Sequence, residues 1–410
     1  MDITYFGPSS NFLVQGFFDQ GLGQFADFQL VTNGPGLVVF ANPSTGWQVE
    51  LSGTGLDATT LSGTVTAWSV RDDTGTVVAT FSDLSWGAAD MFDSFAALFN
   101  SGSISGYLAL LNQAPITFDG SGAVDGIDFI LPAVSQPVNV TGTDFGDHFF
   151  LGNGNDVVLT GAGNDTVDAL GGNDRVLGGG GNDFLRGGDG QDRLVGDIGN
   201  DHLLGEAGRD TILGGSGDDV CQGGDGNDRI LGGNDQDDLY GEDGDDVILG
   251  GTGRDTLTGG VGNDVLRGNG GFDTLLGGLG DDSMTGGAQA DVLFGIAGNN
   301  TMEGGGGFDR LVSGIGDDLM TGNFNADIFV FEDGNGNDTI TDFAATIAAE
   351  KIDLSGVSAI TGLADLNLAS ATAGAATQVG ADVVIDTGGG NSITLLNVTL
   401  SDLDGTDFIF

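Results

Sequence analysis

The sequence predicts a mainly β chain built around a long repetitive stretch, and three observations carry that prediction. Aspartate recurs every ninth residue from Asp147 to Asp327, at 20 of 21 in-register positions. An apolar side chain stands two residues after each of the 21, from Phe149 and Val158 to Met320 and Phe329. Glycines gather just ahead of the aspartates, and eight units show the full Gly-Gly-x-Gly-x-Asp pattern, ending at Asp183, Asp192, Asp219, Asp228, Asp255, Asp264, Asp282 and Asp309. A fixed short period is the signature of a repeat architecture, and compositional drift does not hold a register of this kind.

Four zones follow in order. Residues 1–131 hold all three Trp and four of the six Pro. Segments 37–41, 48–52, 64–71 and 77–84 read as short strands between Gly, Ser and Asp turns. Residues 88–100 place Ala88, Met91, Phe92, Phe95, Leu98 and Phe99 at helical spacing, which reads as one amphipathic helix with a core-facing stripe. The zone is therefore expected to be a β-rich domain with one or two helices. Residues 132–141, marked by Pro132 and Pro137, read as a linker, 142–340 as the repeat, and 341–410 as a less charged closing module. In the last zone two strand-like runs, 381–386 and 392–398, flank Gly388-Gly389-Gly390 and predict a hairpin.

Charge excludes several classes of partner. The chain has 60 acidic residues against ten Lys and Arg, a net charge of −50, and 79 Gly. Nucleic-acid recognition needs clustered Lys and Arg, and anionic membranes repel such a surface. So many carboxylates must be solvated or neutralised by cations. Disorder is the alternative for an acidic Gly-rich chain, but 39% hydrophobic content in strict register opposes it. With Cys221 alone, no intrachain disulfide forms, so an exported chain needs another source of rigidity. The opening Met1-Asp2-Ile3-Thr4-Tyr5 lacks a basic stretch followed by an apolar run, so no cleaved leader is expected. No uninterrupted apolar run approaches 18 residues, so no transmembrane segment is expected.

The repeat chemistry points to calcium. Glycines at positions one, two and four permit φ > 0 and a tight turn with carbonyls facing inward. Aspartate at position six adds a carboxylate, so the donors are all hard oxygens, which suits Ca²⁺ and not zinc or copper. A strand of about three residues then alternates, sending position eight inward and positions seven and nine outward. Stacked aspartates ~4.8 Å apart repel by roughly 1 kcal/mol per pair in water and about 3–4 at an effective dielectric near 20. Summed along a stack, that rivals the ~5–15 kcal/mol stability of a domain. Each calcium site at tenfold saturation returns about 1.4 kcal/mol.

The nonapeptides resemble those of the RTX family, over roughly residues 142–340. The resemblance implies a parallel β-roll in which two nonapeptides make one turn, so loops 18 residues apart stack along each edge with calcium between them. It places Asp183, Asp201, Asp219, Asp255, Asp273 and Asp309 on one edge. Asp192, Asp210, Asp228, Asp246, Asp264, Asp282 and Asp318 fall on the other. Asp156 and Asp165 join the ligand set, with the carbonyls of Gly178, Gly187, Gly214, Gly223, Gly250, Gly259, Gly277 and Gly304. About ten to fifteen calcium ions are expected. The loops ending at Asp174, Asp237, Asp291, Asn300 and Asp327 depart from the pattern and are expected to bind weakly or not at all. Residues 327–410 resemble the C-terminal module of serralysin-type RTX proteins, which implies a cap on the roll, an uncleaved signal for the type I secretion machinery, and an extracellular or cell-surface destination.

Other candidate groups have plainer readings. Cys221 occupies an inward position and reads as a buried thiol. His148 and His202 sit at outward position seven and cannot share a metal. The chain has no His-Glu-x-x-His and no Gly-x-Ser-x-Gly, and residues 1–140 contain no histidine. The leading expectation is a secreted calcium-binding protein whose repeats fold on extracellular Ca²⁺. Its N-terminal domain is then a non-catalytic recognition or structural module for an unassigned ligand. One alternative is a secreted glycan or ester hydrolase using carboxylates among Asp72, Asp73, Asp83, Asp90 and Asp93. Another is a surface-layer or matrix component.

Overall fold

The computed structural model describes residues 134–410 apart from 346, 348 and 369–374, preceded by the backbone of eight short strands between Gln29 and Ile130. The helix expected over 88–100 and the aspartates at 72, 73, 83, 90 and 93 lie outside the described residues. The chain divides into two units, Met1–Asp197 and Ile198–Phe410.

In the first unit, Gln29–Gly34, Leu37–Ala41, Gln48–Asp57, Ser62–Arg71 and Val77–Ser82 pair antiparallel, each with the next. The strand expected at 48–52 continues to Asp57, and that at 77–84 stops at Ser82. The hand-over to parallel pairing occurs at Ile116–Asp119. Its Phe118 faces Phe81 in an antiparallel neighbour on one side and Val140 in a parallel one on the other. Val138–Thr141, within the stretch read as a linker, is thus already a strand, and Val157–Ala162 and Arg175–Gly180 stack beyond it. A second parallel ladder runs through Asp128–Ile130, His148–Phe150, Thr166–Asp168 and Phe184–Gly190.

The second unit continues the same logic as two parallel ladders with a step of 18 residues. One carries the inward column Ile212, Ile230, Ile248, Leu266, Met284, Met302, Met320. The other carries Leu203, Cys221, Leu239, Leu257, Leu275, Leu293, Leu311, Phe329. All are buried to 1% exposure or less, so position eight is the core of the roll. Each such side chain contributes about 1.5–3 kcal/mol by leaving water. The fold is therefore a parallel β-solenoid, as the resemblance implied.

The strands are longer than the three residues expected. Thr211–Ser216 is typical: Ile212 and Leu213 pair with Ile230 and Leu231, and pairing resumes past Gly214 with Gly215 and Ser216 against Gly233 and Asn234. Position-one glycine is where each strand bends, and the loop residues beyond it also join the ladder.

The closing residues extend both ladders. Lys351–Gly356 adds in parallel to Ile328–Glu332, and Phe408–Ile409 adds to it in turn. Asn391–Leu395 pairs in parallel with Asn337–Ile340 and antiparallel with Asp382–Gly388. That hairpin turns through Gly389 and Gly390 at φ 69 and 96, which explains the glycine run. Phe343 meets Phe329 edge-on, with centroids 6.4 Å apart.

Candidate metal centre

One loop shows the design. In Gly214-Gly215-Ser216-Gly217-Asp218-Asp219, positive φ falls at Gly215 (128) and Gly217 (122), and not at Gly214. Position-one glycine is required for a different reason from the one expected. A Cβ on Gly214 would lie 2.4 Å from Asp219 Oδ2 and 2.7 Å from the carbonyl oxygen of Gly232 in the next turn. In this loop only a residue without a side chain leaves both oxygens room, whereas the loops of Asp156, Asp165, Asp174 and Asp318 carry Leu151, Thr160, Ala169 and Ser313 at position one. Asp219 Oδ1 accepts the backbone N–H of Asp201 at 2.8 Å, and the Asp219 N–H donates in turn to Asp237 Oδ1 at 2.9 Å. Asp219 Oδ2 is buried with no hydrogen-bond donor.

The arrangement repeats. Oδ2 of Asp156, Asp165, Asp174, Asp228, Asp237, Asp246, Asp255, Asp264, Asp273, Asp282, Asp291, Asp309 and Asp318 is likewise buried and lacks a hydrogen-bond partner. Asp183, Asp192, Asp201 and Asp210 hold the same buried register position. Carbonyls of Gly223, Gly250, Gly259, Gly277 and Gly304 stand beside the carboxylates of Asp210, Asp237, Asp246, Asp264 and Asp291. Burial, with neighbouring carboxylates adding to it, pushes Asp174 and Asp237 up to about 8. Burial pushes Asp156 up to about 7, and burial first, with smaller additions from neighbouring carboxylates, does the same for Asp219, Asp246, Asp291 and Asp318. It brings Asp192, Asp255, Asp264 and Asp282 to about 6. Two kinds of acceptor face each other with no donor between, an arrangement that costs several kcal/mol unless a cation enters. The donor set is carboxylate and carbonyl oxygen only, which fits a hard divalent ion.

Among the loops singled out as irregular, those ending at Asp174, Asp237 and Asp291 present the same buried, partnerless Oδ2 as their neighbours. The Asp174 loop keeps Gly172 and has Ala169 and Leu170 (φ 67) at positions one and two, while the fourth glycine missing from the Asp237 and Asp291 loops is replaced by Asp235 (φ 74) and Gln289 (φ 79), and before Asp327 by Asn325 (φ 82). These polar residues enter the left-handed region at modest cost. Asn300 differs. Its Oδ1 still accepts the Asp282 N–H at 3.0 Å, but its Nδ2 takes the second oxygen's place and donates to Gly298 O at 3.2 Å.

The ends of the array are plugged by protein groups. Thr143 N–H and hydroxyl donate to Asp147, and the Thr160 hydroxyl donates to the Gly178 carbonyl. At the far end Asp338 Oδ1 takes the Asp318 N–H at 3.0 Å while Asn335 Nδ2 donates to its other oxygen. Sequence reasoning missed Asp338 because it stands 20 residues after Asp318, two beyond the period. It missed buried Glu350 for a similar reason: Lys351 pairs with Ile328, which makes Glu350 the counterpart of Asp327. Burial, helped by Asp327, Asp342 and Asp407, pushes Glu350 up to about 7.

A second, outer ladder runs along position five. Asp245 Oδ1 accepts from the N–H of Asn263, Asn263 Oδ1 from Asp281, Asp281 from Asn299, Asn299 from Asp317 and Asp317 from Asn337, at 2.7–2.9 Å. Asp and Asn alternate, and each Asn also donates Nδ2 to the preceding Asp at 3.2 Å.

The remaining candidates fall where their register put them. Cys221 is fully buried, which holds its thiol well above the usual range. His148 is exposed and His202 half-buried. Arg186 lies 3.3 Å from Asp168, and Arg310 lies 3.6 Å from Asp353, both near the surface.

A family model for the RTX calcium-binding nonapeptide repeat matches the chain in overlapping or abutting blocks at 141–176, 150–185, 168–203, 186–221, 195–230, 222–257, 258–293 and 294–329. No curated protein matches the chain. Among solved structures, the extracellular lipase LipA from Serratia marcescens aligns at 21% identity with a TM-score of 0.27, over 54% of this chain and 45% of the lipase. The chain thus spans less than half the length of that enzyme. The matched blocks coincide with the loops that carry the buried aspartates, and residues 141–329 are therefore RTX calcium-binding nonapeptide repeats.

Proposed function

We propose that the chain is an exported calcium-binding protein whose repeat region folds when calcium enters the loops, carrying residues 1–131 as a recognition or structural module. The observation that carries this reading is the row of buried Oδ2 atoms with no hydrogen-bond donor, facing carbonyls across each turn. Asp156, Asp165, Asp183, Asp192, Asp201, Asp210, Asp219, Asp228, Asp246, Asp255, Asp264, Asp273, Asp282, Asp309 and Asp318 supply carboxylates, and the same geometry adds Asp174, Asp237 and Asp291. The expected load is about ten to fifteen ions. Calcium titration of the full chain, followed by far-UV circular dichroism and by counting bound ion, should show cooperative gain of β signal with that stoichiometry. Full β signal in excess chelator at pH 7.5, or fewer than about five ions bound, sinks the reading.

Export by a type I route is supported by the resemblance of residues 327–410 and by the single cysteine. Among the described residues no helix is long and apolar enough to cross a membrane. Co-expressed with a type I exporter, the full chain should reach the medium while a chain ending at residue 340 stays in the cell. Equal release of the two refutes the assignment.

A further inference from the structure

The two edges of the roll in the second unit carry different rims. On the edge of Asp264, Asp282 and Asp318, exposed acidic side chains recur beside the file, at Glu242, Asp243, Asp245, Asp281 and Asp317. On the other edge, positions one to five of five successive loops, 250–254, 268–272, 286–290, 304–308 and 322–326, contain no acidic residue. These loops are neighbours in the ladder, with Thr252, Gly270, Ala288, Gly306 and Phe324 standing in one row. Aromatic rings take the place of charge on this rim. Position five runs Arg254, Phe272, Ala290, Phe308, Ala326, and Phe324 stands at position three of the last loop. Phe272, Phe308 and Phe324 are 50, 69 and 78% exposed. Phe272 and Phe308 are two turns apart, about 9.6 Å, with the small Ala290 between them. The Arg254 guanidinium lies over the Phe272 ring, 6.0 Å from its centroid. Exposed amides fill the intervals. Gln289, Asn323 and Asn325 are held at φ 79, 69 and 82, and their side-chain amides have no hydrogen-bond partner among the described residues.

We propose that this rim binds an uncharged β-1,4-linked polysaccharide laid along the stack. One face of a pyranose ring presents C–H groups that pack on the π face of phenylalanine, and its hydroxyls need hydrogen-bond partners at the edges. Exposed rings alternating with free amides supply both. Successive sugars of a β-1,4 chain turn over, so like faces recur at every second sugar, which suits rings about 9.6 Å apart. Phe308 and Phe324 are too exposed to line a cleft, which favours the middle of a long chain over a chain end. Charge and spacing exclude other occupants. The net charge of −50 repels nucleic acid, anionic lipid and acidic polysaccharide. A cationic ligand finds more carboxylate on the opposite edge. A protein partner covers a contiguous apolar core, whereas glycine, alanine and amide separate these rings. Two exposed carboxylates border the rim: Glu303, just before Gly304, and Asp342, which accepts the N–H groups of Gly322 and Asn323. Both are acceptors that a neutral polyol can use and an anion cannot.

Native electrophoresis of the full calcium-loaded chain through gels containing hydroxyethyl cellulose tests this. Wild type should be retarded, and Phe272→Ala with Phe308→Ala should weaken binding at least about tenfold. Calcium-induced circular dichroism should be unchanged in that variant, which separates loss of the surface from loss of the calcium-folded roll on which the proposal rests. Phe272→Tyr with Phe308→Tyr should keep binding. Val261→Ala with Leu279→Ala, exposed apolar positions on the opposite edge, should bind as wild type does. Carboxymethyl cellulose, the same backbone made anionic, should retard wild type less. Free migration of the folded wild type through hydroxyethyl cellulose overturns the proposal. So does retardation that the alanine pair at Phe272 and Phe308 leaves intact, equal loss in the Val261 and Leu279 variant, or stronger retardation by carboxymethyl cellulose.

Discussion

With calcium removed, the repeat region loses its β signal at pH 8 and recovers it when the same solution is brought to pH 5. The sign follows from the buried aspartates. Without a cation their folded-state values rise to about 6–8, whereas an unfolded aspartate titrates near 3.9. A group raised on folding contributes stability that is fully present below the unfolded value and is lost as pH climbs through the folded one. Acid therefore favours the calcium-free roll, and the loss spans roughly pH 4 to 8. Calcium reverses the dependence, since a bound ion holds the carboxylates ionised and competes with protons. In calcium-free buffer the β signal should fall between pH 5 and pH 8, and added calcium should restore it at pH 8. Loss of β signal on acidification instead would contradict this account. Dilute protein is needed, because pH 5 lies close to the isoelectric point of about 4.1.

Gly259→Val should raise the calcium midpoint severalfold and destabilise the loaded roll by about 3 kcal/mol or more, whereas Gly260→Asn next door, whose Cβ would meet the Glu242 backbone oxygen and not a calcium ligand, should cost stability with a smaller shift of the calcium midpoint. A Cβ at Gly259 falls 2.3 Å from Asp264 Oδ2 and 2.4 Å from Gly277 O, so it displaces the oxygens meant for the ion. Both are buried in the stack, and no flexible side-chain end is available to move aside. Gly260 stands at φ 120, but its counterparts Glu242 and Asn269 occupy the equivalent turn position at φ 77 and 72. Asparagine enters that region readily, so a backbone rotation toward it relieves part of the clash with Glu242. Calcium titrations of the two variants discriminate the roles; an equal shift of the calcium midpoint in both would show that the space beside the carboxylate is not what the first glycine protects.

Periodicity in the sequence reaches some features of the roll and not others. Register alone placed the core column, because inward-facing at position eight follows from strand alternation over 21 units. It also placed the buried carboxylates, since the aspartates keep one buried register position from Asp147 to Asp327 apart from Asn300. It assigned the wrong reason to Gly214, whose need is for space and not for positive φ, because spacing does not report what a missing Cβ would strike. Asp237 and Asp291 looked compromised for lack of one glycine, yet Asp235 and Gln289 supply the left-handed turn. Asp338 and Glu350 were invisible because insertions moved them off the nine-residue beat while strand pairing kept them in line. The strand Ile116–Asp119 carries no repeat signature, so the join between antiparallel and parallel pairing shows only in the fold.

The outer ladder at position five treats its charge in another way. Its carboxylates, Asp245, Asp281 and Asp317, are separated by an intervening Asn and so stand two turns apart, about 9.6 Å. That exceeds the ~8 Å Debye length of physiological saline. Dissolved salt therefore screens most of the repulsion along the rim, and no bound ion is required there. The roll has two electrostatic regimes within a few ångströms of each other: an inner file that a resident dication neutralises at neutral pH, and an outer one that ordinary seawater or serum quiets from outside.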